Sequence, residues 1–220
     1  MLAFDTASAG CHLAVVDDDH VLVDRREAMA HGQAAVLLPW INEALAEAGL
    51  QPSDLDLVAA TTGPGAFTGI RIGLAAAKGL ALALGIPGIG ISSFDAFHVL
   101  VPDDTKPLLV AIDSRRADLF FRYLPIKGDA EERALPPDQL VDWLGGELTG
   151  LRVIGDAADM VANAIDAEIN AIQTRPDPVV LARLAQERYE WDELAPLEPV
   201  YARAPDAKPA KPSRIWLAEQ

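Results

Sequence analysis

Two carboxylates in this sequence stand where chemistry could be done. Asp5 closes the apolar run LAFD and is followed by Thr6; Asp113 closes LLVAID and is followed by Ser114. A carboxylate beside a hydroxyl at the end of a strand can bind a cation. The same dipeptide also opens turns, because an Asp side chain accepts hydrogen bonds from backbone N–H groups two residues on. The residues alone leave both readings open.

A second candidate is the glycine-rich stretch TGPGAFTGIRIG, residues 62–73. It lies between an apolar strand pattern and a helix pattern, where converging N–H groups can cradle phosphate. It lacks the Lys-Ser/Thr of a P-loop, however, and has Thr68 where a dinucleotide fingerprint needs its third glycine. Pro64 removes a further donor. The helix beyond carries Gly69, Gly73 and Gly79 among Ala76, Ala77, Ala81 and Ala83. Glycine inside a helix costs about 1 kcal/mol relative to alanine, so a close neighbour is expected to compensate. Arg71 and Lys78, seven residues apart, fall on one face. A flat face of small residues with two cations suits a partner helix. The expected interface is therefore Gly69, Arg71, Gly73, Ala76, Lys78 and Leu80, joined by His31, Leu38, Trp40 and Ile41 from the preceding helix pattern. Packing against the chain's own sheet is the alternative.

Metal chemistry finds no support in the remaining residues. His12, His20, His31 and His98 form no H-E-x-x-H or other ligand pair, and Cys11 is the only cysteine. No disulfide or cysteine-based zinc site is possible within the chain, and Cys11 is expected to be a buried core thiol. No catalytic residue and no metal ligand is assigned.

The elements that must position these residues are legible in the hydrophobic pattern. Residues 2–6, 11–16 and 21–27 read as a three-stranded meander, and residues 33–48 as a helix whose Pro39 marks a kink or the true first turn. A buried strand at 57–61, a helix at 68–84 ended by Gly85-Ile86-Pro87, a strand at 88–91 and a helix from Ser92 or Ser93 complete an order βββαβαβα. The apolar run that ends in Asp5-Thr6 can be laid over the one that ends in Asp113-Ser114, with an apolar strand after each short turn, which indicates an internal duplication. The second copy reads as degenerate, with helix, strand and helices after its two strands and no clear third strand. The expected organisation is a domain at 1–105 carrying the partner interface, a degenerate domain at 106–201, and a Pro/Ala/Lys-rich extended tail at 202–220.

Charge narrows the partners. With 18 Lys and Arg against 33 Asp and Glu, the formal net charge is −15, and affinity for nucleic acid comes largely from cations neutralising phosphates. The chain is expected not to hold RNA alone. The longest apolar stretch, 72–91, is interrupted by Lys78, Pro87 and glycines, and the first residues carry no basic leader. A cytoplasmic protein without a membrane segment is expected.

The stretches LAFDTASAGCHLAVV, AHGQAAVLLPWINEAL, DLDLVAATTGPGAFTGIRIGLAAAKGLALALGIPGIGISS, IDSRRADLFF and PVYARAPDAKP together resemble the TsaB (YeaZ) family. The resemblance covers nearly the whole chain and is densest over residues 1–100. It implies an α/β actin-like ATPase (ASKHA) fold with two RNase H-like halves. It also implies a non-catalytic scaffold and activator for threonylcarbamoyl transfer to adenosine 37 of tRNA, pairing with the catalytic paralogue TsaD and the ATPase TsaE. A homodimer is expected in their absence, with tRNA contacted only indirectly and ATP or ADP bound only within the complex. TsaD holds a metal through a His-x-x-x-His pair, and the matching positions here are Ser93 and Phe97. Phenylalanine cannot ligate a metal, and His98 is one residue out of register, about 100° around a helix. The resemblance also implies a nucleotide-binding set of Asp5, Thr6, Asp113 and Ser114, since actin-like kinases place such carboxylates near a nucleotide's metal and phosphates, but the glycines that follow the Asp in those kinases are replaced here by Thr6-Ala7 and Ser114-Arg115. The alternative is a free-standing actin-like phosphotransferase or hydrolase acting on a small molecule. The Asp113-Ser114-Arg115-Arg116 stretch also matches the family, and spacing assigns it no role.

Overall fold

The computed structural model describes residues 1–101, 106–146, 148–165, 170–190 and 194–202. Its first half follows β1 (Leu2–Asp5), β2 (Gly10–Asp17), β3 (His20–Ala28), α1 (Gln33–Glu47), β4 (Val58–Gly63), α2 (Phe67–Leu84), β5 (Gly88–Ser92) and α3 (Ser93–His98). The second half continues with β6 (Leu108–Asp113), β7 (Leu119–Leu124), β8 (Glu131–Leu135), α4 (Leu140–Trp143), β9 (Arg152–Gly155), α5 (Ala158–Ala164), β10 (Asn170–Gln173) and α6 (Pro178–Glu190). Two five-stranded sheets result, ordered β3-β2-β1-β4-β5 and β8-β7-β6-β9-β10. The two orders are the same plan, with an antiparallel meander and parallel crossovers in each.

The second half therefore retains the full element order, and the expected loss of its third strand is corrected. β8 was invisible to periodicity because it is an edge strand: Glu131, Glu132 and Arg133 are exposed and only Leu135 is buried. β10 is four residues long, too short for a clear pattern. What the second half has lost is helix length, since α4 and α5 span 4 and 7 residues where α1 and α2 span 15 and 18. Pro39 lies inside α1, beyond its first turn.

Each sheet is buried on both faces. Leu2, Phe4, Leu13 and Val15 meet Leu37, Ile41, Ile70 and Leu74 of α1 and α2, while Ala3, Ala14, Ala59 and Ile89 meet Leu181, Ala182 and Ala185 of α6. Phe94 and Phe97 of α3 pack on Leu108, Val110, Phe120 and Ile154 of the second sheet. The last helix of each half thus packs against the sheet of the other. Asp95 ties this exchange together, bonding Arg122 of β7 and Arg188 of α6. Burial pushes the Asp95 carboxyl up, but the bonds from Arg188 and Arg122 outweigh it and hold the group below its ordinary range.

Residues 195–201 return to the first half. Gly90 N donates to the Ala195 carbonyl at 2.9 Å, Val200 N to the Thr62 carbonyl at 2.9 Å, and Leu197 enters the first core. Residues 203–220, most of the expected tail, lie outside the described residues.

Candidate functional site

Asp5 is fully buried at the end of β1. Its Oδ1 accepts from Ala7 N at 3.1 Å and from the Thr61 hydroxyl at 2.5 Å; its Oδ2 accepts from Ser8 N at 3.3 Å and from the Ser8 hydroxyl. Both carboxylate oxygens are therefore engaged by the turn that Asp5 itself opens and by β4. The Thr6 hydroxyl donates to the Gly69 carbonyl at 2.7 Å. In the second half, Asp113 accepts from Arg115 N at 2.7 Å and pairs with the Arg115 guanidinium at 3.1 Å. Ser114 donates to the Asp118 carbonyl and accepts from Arg116 N at 3.2 Å. All four residues of the nucleotide-binding set are built into turns, and Arg115 of the Asp113–Arg116 stretch serves one of them.

Asp156, after β9, escaped the sequence reading because nothing pairs it with Asp113 in the linear order. Its Oδ1 accepts from Asp113 N at 2.9 Å. Burial pushes its carboxyl up to about 7, with the charges of Asp113 and Asp5 adding to the effect, while the Asp113 N–H and the Arg115 charge oppose it.

The glycines of the loop and helix have structural occupants. A Cβ on Gly65 would lie 2.5 Å from the Ala7 carbonyl oxygen, one on Gly69 would overlap the Thr6 carbonyl oxygen, and one on Gly73 would lie 2.7 Å from the Thr6 hydroxyl. The returning C-terminal segment accounts for others: a Cβ on Gly88 would meet Leu197 at 2.5 Å, and one on Gly90 would overlap the Pro196 carbonyl. The bare side of α2 is thus pressed against the first hairpin. This corrects the expected interface, because Gly69, Gly73 and Ile41 are buried in the chain's own core. Trp40, Ala76 and Leu80 are half-buried against that core.

The outward face of α2 is a different set. Phe67, Arg71, Ala75, Lys78, Gly79 and Leu82 are exposed, with Leu82 at 85%. A Cβ on Gly79 would meet nothing within 4 Å. Leu38 on α1 is 51% exposed, and His31 before α1 is exposed. The N-terminal end of the face is ordered by Tyr201: its ring lies 5.5 Å from that of Phe67, and its hydroxyl accepts from Arg71 Nε at 3.1 Å. The Arg71 guanidinium stands 3.9 Å from the Phe67 ring centroid. Period-3.6 spacing could have found Phe67, Ala75 and Leu82 as the stripe opposite Gly69 and Gly73; nothing local could have placed Tyr201 there. Among the described residues α2 alone is long and apolar enough to cross a membrane by length and composition, with mean hydropathy 1.4. Here it packs lengthwise on the sheet.

Ser93 and Phe97 are buried, and His98 is exposed at the end of α3. Among the described residues no group of three His, Cys, Asp or Glu side chains could hold a metal ion. Cys11 is fully buried, and burial, with Asp5 and Glu27 nearby, pushes its thiol up to about 12.

A family model described as TsaD, tRNA N6-adenosine threonylcarbamoyltransferase, matches residues 27–135. An uncharacterised protein of Mycobacterium tuberculosis is 32% identical over 225 residues, covering 95% of this chain and 94% of its own. The Bacillus subtilis tRNA threonylcarbamoyladenosine biosynthesis protein TsaB is 25% identical over 232 residues, covering 100% of this chain and 99% of its own. The chain belongs to the TsaB (YeaZ) family. A solved structure from Pseudomonas aeruginosa, described as an uncharacterised protein with similarity to peptidase YEAZ, has a TM-score of 0.74 at 25% identity, covering 92% of this chain and 98% of that one. Membership accounts for the doubled sheet plan, the two RNase H-like halves of an actin-like ATPase fold.

Proposed function

We propose that this chain is a non-catalytic subunit in the formation of threonylcarbamoyladenosine on tRNA, acting as a scaffold and activator for a TsaD-type partner. The observation that carries the reading is the outward face of α2, where exposed Phe67 and Leu82 bracket Ala75 and Gly79 and are flanked by Arg71 and Lys78. Small residues between two apolar anchors let a second helix approach closely, and exposed apolar contacts of this kind favour a partner over solvent. The first-sheet carboxylate that a phosphotransferase would need is engaged on both oxygens by its own turn and β4, which favours the scaffold over the free-standing enzyme. TsaE is the further component in this reading, and a homodimer through the same face forms when the partner is missing. Nucleotide enters only with the complex, tRNA is left to the partner because the chain is strongly acidic, and the setting is the cytoplasm.

Threonylcarbamoyl transfer to tRNA by the organism's own TsaD and TsaE, measured with and without this chain, tests the reading. Strict dependence on the chain is expected; full activity without it would overturn the scaffold role.

A further inference from the structure

We propose that the cleft walled by His12, Arg26, Thr174, Arg175 and Pro176 binds a small oxyanion, a phosphate or carboxylate group. The cavity has a volume of about 360 Å³. Its walls come from both halves: β2 and β3 on one side, the β10–α6 connection on the other. His12 stands opposite Asp5 of β1 and opposite Arg26 of β3 in sheet register, so the three share the face on which α6 packs.

Three features make the cleft a site rather than a gap. His12 is 2% exposed, and neither ring nitrogen has a hydrogen-bond partner among the described residues. Burial first, and then the nearby Arg175 and Arg26 charges, hold its pKa below the ordinary value despite Asp5 and Asp24, so the ring is neutral and offers one donor and one acceptor. Arg26 is held in place by Asp24, at 2.6 Å, and by Asp177, at 2.9 Å. Both carboxylates bond its Nη2 and Nε side, and none of these bonds uses Nη1. Arg175 is exposed and carries its charge without an ion pair among the described residues. In a chain of net charge −15, an unneutralised guanidinium beside a second, rigidly held one is a local reversal of sign. Guanidinium donors match the oxygens of carboxylate and phosphate.

Size and charge choose the occupant. The volume falls at the low end for ligand pockets, about 300–1,000 Å³, which suits a small acid. The Asp24 and Asp177 carboxylates paired with Arg26, with the overall acidity, oppose a polyanion such as RNA. A hydroxyl or a bridging water beside the acid group would give His12 its partners.

The test uses the full chain with inorganic phosphate in one arm and malonate in the other, read by calorimetry and by the ring-nitrogen NMR signals of His12. Saturable binding is expected, with the His12 signals moving along the same isotherm. Tighter binding of phosphate would assign the site to a phosphate group, and tighter binding of malonate to a carboxylate. Arg175→Gln, at an exposed position that leaves the fold intact, is expected to weaken binding tenfold or more, whereas Lys127→Gln, a distant surface cation, leaves it unchanged. An absence of saturation of the His12 signals by either ion at about 10 mM would overturn the proposal. Equal affinity in Arg175→Gln would do the same.

Discussion

Thr6 and Gly69 are locked together across the first half: the Thr6 hydroxyl donates to the Gly69 carbonyl at 2.7 Å, and the Thr6 carbonyl oxygen occupies the space a Gly69 side chain would need. The helix that looked bare for a partner is bare first of all for its own hairpin. Two glycines of one helix therefore predict opposite outcomes. Gly69→Ala must displace backbone and should lower stability by about 2 kcal/mol or more. Gly79→Ala meets nothing within 4 Å and should raise it by up to about 1 kcal/mol. Urea denaturation of the two variants beside the parent checks both signs.

The Asp95 junction predicts an acid-sensitive coupling of the halves. Its carboxylate is bonded by Arg122 and Arg188 from two other elements, and its pKa lies below the unfolded value. A depressed carboxyl contributes stability above its unfolded pKa and loses it as pH falls through the folded one. Asp95→Asn leaves two half-buried guanidiniums without their shared charge, at a cost of about 2 kcal/mol for a partly solvated cluster. The variant should lose stability at neutral pH and show a shallower decline between about pH 4 and pH 2. A parent-like stability at pH 7 would exclude the coupling.

Asp156 predicts the opposite sign. Its carboxyl is raised to about 7, so the folded state holds a proton that the unfolded chain has already released. Stability from this group is complete below the unfolded value of about 4 and is lost as pH rises through about 7. Asp156→Asn keeps a neutral side chain at the Asp113 N–H, and its stability should fall less than the parent's between pH 5 and pH 8. Thermal melts across that interval decide the matter; parallel curves would show that Asp156 is already ionised in the fold.

The first half was legible because its central strands are continuous runs buried on both faces, its helices are long, and Gly85 stops α2 in a left-handed conformation. The duplication was legible for a related reason: Asp5 and Asp113 end matching strands and open matching turns. What was hidden depended on distant chain. β8 is polar because it is an edge, and α3 and α6 exchange sheets through contacts no local pattern announces. Gly88 and Gly90 answer to Leu197 and Pro196, more than a hundred residues on. The proposed docking face lies on α2 but is rotated away from Gly69 and Gly73, because those glycines, read as surface, mark the closest internal approach of the helix.

That rotation supplies the sharpest test of the docking face. Leu82 is 85% exposed and Ala75 lies on the same outward stripe, so Leu82→Glu and Ala75→Glu should change folding stability by no more than about 0.5 kcal/mol. Both should abolish association with a TsaD-type partner, since a charge desolvated at the centre of a helix pair is heavily penalised. Gly73→Glu cannot serve as that probe, because its side chain would enter the Thr6 hydroxyl contact and lower stability before any partner is met. Size-exclusion and melting measurements on the three variants separate the effects. Pairing that survives Leu82→Glu and Ala75→Glu would move the interface away from α2. Loss of pairing with an unchanged melt would place it on the stripe from Phe67 to Leu82.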